Sequence, residues 1–313
     1  MRNFLISLVV LIAAIVGLFW LFNAPNIPRA VLEAKYATPP SAFVTLPDGA
    51  RAHYRERGDR NAPALLLLHG SNASLFTWEP WSKRLSDQFL VVSVDLPGHG
   101  LTGAVPNGDY SEEGMSKFVE EFADKIGLTR FSLAGNSMGG AVAARFAEQH
   151  PDRVASLILI DAGGLPFKST SGEPIAFRLA RIPVLNQLLL HVTPRAIVTE
   201  GLNKAVVHKW VITDAMIDTY WDFARMDGTR AATLSRFSLP RDNYVAKHVK
   251  SLTMPTLILW GAQDRLIPVS VAHDWARAVP GSKLIIYPST GHIPMEEVAK
   301  QSSEDARAFL SSR

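Results

Sequence analysis

The chain has 313 residues, 47% of them apolar and 19% charged, a balance that argues for a packed globular protein and against disorder. Its net charge of +3 is small and no block of Lys or Arg occurs, so it carries no nucleic-acid footprint. Cysteine is absent, which excludes disulfides, thiolate metal sites and a cysteine nucleophile.

Residues 4–22, FLISLVVLIAAIVGLFWLF, carry no charge, and Arg2 precedes them. As a helix this run is about 28 Å long, close to the ~30 Å bilayer core. Trp20 near its end suits the interfacial aromatic belt. A cleaved signal peptide is the competing reading, but its apolar region is normally only about 7–15 residues, followed by a small-residue cleavage site. Here the run is longer and NAPNIPRA follows. Residues 1–22 therefore read as an uncleaved N-terminal signal anchor, a transmembrane helix. Arg2 lies before the span; Arg29 and Lys35, partly offset by Glu33, lie after it. That balance leans toward an N-in topology with the catalytic domain on the exported, periplasmic side. Residues 23–41 hold four prolines and no clear periodicity, so they read as a linker.

From residue 42 the pattern changes. Residues 42–46 and 50–57 flank Pro47-Asp48-Gly49 and predict a β-hairpin. Short apolar runs at 64–68, 90–94, 131–134, 154–160, 256–260 and 283–287 read as strands buried on both faces. Helical stretches at 78–86, 112–126 and 138–150 lie between them. Such alternation predicts an α/β fold, a mostly parallel sheet with right-handed crossovers and helices on both faces. One stretch breaks the rhythm. Residues 163–250 contain no buried-strand run, and helix-like segments appear at 175–181, 184–191, 194–210 and 214–226. They predict a helical cap inserted between core segments 42–162 and 251–313, over the strand ends where open α/β sheets bind ligands.

Gly135-Asn136-Ser137-Met138-Gly139 fits G-x-S-x-G and lies between a predicted strand and a predicted helix, the context that motif requires. Side chains two before or two after the serine would collide with neighbouring backbone, and the strain lifts the hydroxyl to the sheet edge. A serine needs a base. Of the nine histidines, His292 is the best placed, in a loop after the last predicted strand. The acid should end a strand and precede His292. Asp264, after TLILW, gives the chain order Ser, Asp, His; Asp161, after LILID, is the rival. Asp95 precedes the nucleophile and reads as structural. Backbone N–H donors for an oxyanion would come from Met138 and from the His69-Gly70-Ser71-Asn72 loop, with Ser71 the first choice and Asn72 the alternative. His69 reads as a brace for that loop.

HGSN at 69–72, DLPGHG at 95–100, GNSMGG at 135–140, GAQDRLIP at 261–268 and GHIPMEE at 291–297 resemble the serine-nucleophile branch of the α/β-hydrolase superfamily, from about residue 43 to the C-terminus. With the apolar N-terminus, GNSMGG and GHIPMEE resemble membrane-anchored bacterial lipase-like esterases of the cold-adapted Moraxella type. GNSMGG is also similar to the meta-cleavage-product hydrolases, which break carbon–carbon bonds. Those enzymes typically carry HGxGPG where this chain has HGSNAS, and a Trp where it has Ile293. Haloalkane dehalogenases and epoxide hydrolases use an Asp where this chain has Ser137.

The resemblance implies an acyl-enzyme hydrolase of small to medium apolar carboxylic esters, needing no metal or organic cofactor, whose partners are a small-molecule ester and the membrane. A carbon–carbon bond hydrolase or lactonase on the same triad, or a catalytically silent binding module, are the alternatives. Trp210, Tyr220, Trp221, Phe223 and Phe237 either line an acyl pocket or form cap core. Arg225, Arg230 and Arg236 either bind a substrate carboxylate or sit on solvated helix faces.

Overall fold

In the computed structural model the described residues are 6–7, 17, 23–167, 182, 190–240 and 243–312. Eight strands, β1 (Ser41–Thr45), β2 (Arg51–Arg57), β3 (Ala64–Leu68), β4 (Leu90–Val94), β5 (Phe131–Asn136), β6 (Val154–Ile160), β7 (Thr256–Gly261) and β8 (Lys283–Tyr287), form one sheet in the order β1-β2-β4-β3-β5-β6-β7-β8. β1 and β2 pair antiparallel, as do β2 and β4; every pairing from β4 to β8 is parallel. The mostly parallel sheet read from the sequence is what forms.

Buried runs build it because alternate side chains point to opposite faces and both faces are covered. Leu66 and Leu68 of β3 join one core with Val92, Phe122, Phe146 and Trp275. Leu65 and Leu67 join the other with Trp81, Ala134 and Phe309. The helices behind the first are α3 (Glu112–Lys125), α4 (Met138–Gln149) and α9 (Ser270–Ala278); behind the second lie α2 (Glu79–Leu85) and α11 (Ala299–Leu310). At about 1.5–3 kcal/mol for each fully buried Leu, these two layers are the main favourable term in holding the sheet.

Between β6 and β7 the described residues are helical: α5 (Arg195–Ala205), α6 (Asp214–Ala224), α7 (Thr229–Ser238) and α8 (Tyr244–His248). The predicted helix at 194–210 stops earlier, at Ala205, where Val206 turns extended. The predicted helix 175–181 and nearly all of 184–191 lie outside the described residues.

The stretch read as a linker contains a helix, α1 (Arg29–Tyr36). Its eight residues are too few to show a periodic signal, and what holds them is tertiary. Leu32 packs with Leu101, Phe223 and Met226. Lys35 Nζ and Tyr36 Oη both donate to Asp222 of α6, at 2.7 and 2.8 Å. Arg29 donates to the carbonyls of Leu101 and Thr102 on the core. Arg230 of α7 donates to Ala24 O and Asn26 Oδ1. Residues 23–36 are thus a strap joining cap to core. The predicted transmembrane segment 4–22 lies, apart from residues 6, 7 and 17, outside the described residues, and no helix among the described residues is long and apolar enough to cross a membrane.

Candidate active site

The parallel strands deliver their chemistry at one rim. His69 follows β3, Asp95 follows β4, Ser137 follows β5, Asp161 follows β6, Asp264 lies three residues beyond β7, and His292 follows β8. Ser137 occupies the turn between β5 and α4 with φ 54° and ψ −117°, a left-handed backbone that costs strain in a non-glycine residue. The turn is held by Ser137 N–H donating to Ile160 O at 3.0 Å and Gly163 N–H donating to Ser137 O at 2.8 Å. A Cβ at Gly139 would overlap the carbonyls of Leu68 and His69, and one at Gly135 would overlap Gly139 O. The glycines flanking the serine are therefore steric requirements.

α4 differs from α3 at its start. Ser111 Oγ caps α3, which opens with Glu112 and Glu113. α4 has no acidic residue in its first turn, and the Ser137 hydroxyl does not cap it. The helix N-terminus, which favours negative charge, is left open beside the hydroxyl.

His292 Nδ1 donates to Asp264 Oδ2 at 2.7 Å, and Asp264 Oδ1 accepts from Leu266 N and Ile267 N. Asp264 is thereby fixed by three donors, the role expected of the orienting acid. His292 Nε2 and Ser137 Oγ have no protein hydrogen-bond partner among the described residues, and no bond joins them directly. Such contacts are often open until substrate arrives. They are tied through Asn136, whose Nδ2 donates both to Ile160 O at 3.2 Å and to the backbone carbonyl of His292 at 2.9 Å. The residue next to the serine thus holds the histidine loop.

Asp161, the sequence rival, is fully buried beside this pair with φ 43°. Asp161, Asp264 and His292 bring one ligand atom each within 4.8 Å of one another. Asp161 Oδ1 accepts from Gly261 N at 3.0 Å, while Oδ2 has no acceptor role. Burial, then the Asp264 charge, pushes the Asp161 carboxyl well above the carboxylate range. With His292 Nδ1 committed to Asp264, the trio fits a proton network better than a cation cage.

The remaining candidates are placed as follows. His69 is buried, with Nδ1 donating to Gly70 O and Nε2 accepting from Leu96 N, and burial lowers its pKa; it braces the loop. Ser71 is half-buried and Asn72 exposed. A Cβ on Gly70 would come within 2.8 Å of Asn136 Oδ1 and 3.2 Å of Ser137 Cβ, so the loop lies directly against the serine turn. Asp95 accepts from Leu75 N, Leu101 N and His53 Nδ1, a structural hub. Phe223 and Phe237 are buried core, whereas Trp210 is 76% exposed and stacks on His208. A surface hollow bounded by Pro166, Phe167, Pro268, Ser270 and Asp274 includes none of the triad side chains.

Three residues were not singled out for the contacts they make. Asn136 sat in the serine motif as a spacer. Glu297, buried, accepts from Gly291 N at 2.7 Å and from Val207 and His208 N at 2.8 and 2.6 Å, tying the histidine loop to the end of α5. Glu296 accepts from Thr77 Oγ1 and from Tyr220 Oη of α6. Both acids lie in GHIPMEE, and the motif was their one visible signal. The three cap arginines do not sit on solvated faces. Arg225 pairs with Asp222 at 2.9 Å, and Arg230 donates to four oxygens, those of Thr193, Asn26, Leu190 and Ala24. Arg236 Nη2 donates to Ser71 Oγ at 2.7 Å.

Known proteins agree with this geometry. The family model of the alpha/beta hydrolase fold matches residues 63–298. The monoacylglycerol lipase abhd6-A of Xenopus laevis is 29% identical over 265 residues, 83% of this chain and 79% of its own. A hydrolase of 2-hydroxy-6-oxononadienedioate from Cupriavidus pinatubonensis is 28% identical over 284 residues, 86% of this chain and 95% of its own. Among solved structures, a bacterial membrane phospholipase A superposes with a TM-score of 0.74 at 29% identity, covering 100% of this chain and 99% of that one. With 236 consecutive residues matched and lipases among its relatives, this chain is a hydrolase belonging to the α/β hydrolase fold family.

Proposed function

We propose that this protein is a serine hydrolase that cleaves carboxylic esters of small to medium apolar substrates through an acyl-enzyme on Ser137. The observation that carries this reading is Asn136, whose one amide holds the strained serine turn and the His292 carbonyl in a single hydrogen-bonded unit. Ser137 Oγ attacks the ester carbonyl while His292 takes its proton. The oxyanion is met by the N–H groups of Met138 and Ser71. His292 then protonates the leaving alcohol, and water repeats the sequence on the acyl-enzyme. Asp264 holds the tautomer and stabilises the imidazolium.

A fluorophosphonate probe tests this: native protein is expected to label, and a Ser137→Ala variant to lose both labelling and turnover, by several orders of magnitude. Equal labelling of the variant would overturn the assignment.

A carbon–carbon bond hydrolase is the second reading, favoured by the Cupriavidus relative and its near-complete coverage. Graded p-nitrophenyl esters assayed against a dienoate ring-fission product separate the two.

Residues 1–22 are proposed to anchor the enzyme as a single N-in span, with the catalytic domain on the exported side. Supporting this, Arg29, Lys35 and Glu33 are all engaged in the folded strap, so they do not act as a free basic flank after the span.

A further inference from the structure

Among the described residues, Arg236 is set apart from the other arginines of cap and strap. Arg225 and Arg195 pair with carboxylates, Arg230 donates to four oxygens, and Arg29 donates to two backbone carbonyls. Arg236 has no carboxylate partner among the described residues. Its two hydrogen bonds go to weak neutral acceptors, Ser71 Oγ at 2.7 Å and Met138 Sδ at 3.4 Å. These are the two residues whose N–H groups are assigned to the oxyanion. The guanidinium is surrounded by protein, which alone lowers its pKa to about 10; His69 and His99 are lowered first by burial and further by this charge. The residue as a whole is half-buried. A desolvated cation is costly without a counter-charge. A fork of five donors with two spent on a hydroxyl and a thioether retains the geometry that binds carboxylate or phosphate.

We propose that Arg236 is a specificity residue that binds a second, anionic group of the substrate, a carboxylate or a phosphate, beside the scissile ester. This rests on the esterase reading and narrows it to negatively charged esters.

The test uses the full chain in detergent and two substrate pairs, each an anionic ester and a neutral counterpart. One pair is mono(4-nitrophenyl) glutarate and its methyl ester; the other is butyryl-glycerol-3-phosphate and butyryl-glycerol. Native enzyme is expected to favour at least one anionic member by about tenfold or more in kcat/KM, chiefly through KM. The preferred pair identifies the carboxylate or the phosphate. Arg236→Gln should collapse the anionic-to-neutral ratio toward one, with Arg236→Lys retaining part of it. Inorganic phosphate or glutarate should compete with the neutral ester on native enzyme and not on Arg236→Gln. Should that variant fail to fold, inhibition of native enzyme and the Lys variant decide. Equal loss on both members of each pair means Arg236 only braces Ser71, which overturns the proposal. Turnover without charge preference overturns it as well, leaving the esterase reading intact. No turnover of any of the four esters would instead overturn the esterase reading itself.

Discussion

Beside His292 lie two carboxyls whose surroundings drive them apart. Asp264 is held by two backbone N–H groups and the imidazole, whereas Asp161 is fully buried with one N–H and a negative neighbour. The greater number of donors and the direct bond to the imidazole favour Asp264 as the orienting acid. Asp264→Asn is expected to lower kcat by about 10³–10⁴ by disturbing the tautomer of His292. Asp161→Asn, which keeps a donor toward Asp264, should cost less than about tenfold. Steady-state kinetics on one ester decide, and the reverse ranking would make Asp161 the orienting acid.

At the scale of elements, the strand–turn–helix unit of β5 and α4 has no room to relax. Gly139→Ala places a methyl against the carbonyls of Leu68 and His69, at the end of β3 where the His69–Asn72 loop begins. A loss of about 1–3 kcal/mol is expected from overpacking, with a larger proportional loss of activity because the serine must move. Chemical denaturation and kcat measured on the same sample check it. An unchanged kcat would show that the turn is softer than its geometry implies.

On the scale of the whole molecule, cap and core are joined by apolar packing, Phe223 and Met226 against Leu101 and Val245 within the main core, and by buried polar contacts beside it. Tyr220 of α6 reaches Glu296, and Glu297 reaches residues 207 and 208. Burial lifts Glu296 from 4.5 to about 7. A raised acid pKa favours folding below pH 4.5, and that contribution is lost as pH rises through about 7. Relative to Glu296→Gln, the native protein should lose on the order of 2–3 kcal/mol between those limits and then level off. Thermal unfolding of both proteins across pH 4–8 reads this; parallel curves would mean that Glu296 ionises normally. The proposed anchor predicts that full-length protein stays with membranes through an alkaline carbonate wash, and release into the wash would remove it.

Much of this was legible along the chain. β3, β4 and β6 form over the residues predicted, because a strand buried on both faces has a nearly continuous apolar signature. β8 also forms where predicted, but as an edge strand with Lys283 exposed and residues 284–286 only half-buried, not buried on both faces. The serine motif and the strand-end positions of Asp161, Asp264 and His292 were legible because local geometry demands glycines at fixed offsets and strand ends fix which residues reach the rim. Helix α1 was not, since Leu32, Lys35 and Tyr36 are ordered by partners nearly two hundred residues away. Nor was the choice between Asp161 and Asp264, which end equivalent strands and differ only in how many donors surround each. The same holds for the three cap arginines, identical as letters and separated only by what the folded cap puts opposite them. Sequence alone determined which residues could do chemistry, through period and steric need. Tertiary structure decided which of them meet and what surrounds each, because desolvation and hydrogen-bond partners exist only once distant segments have met.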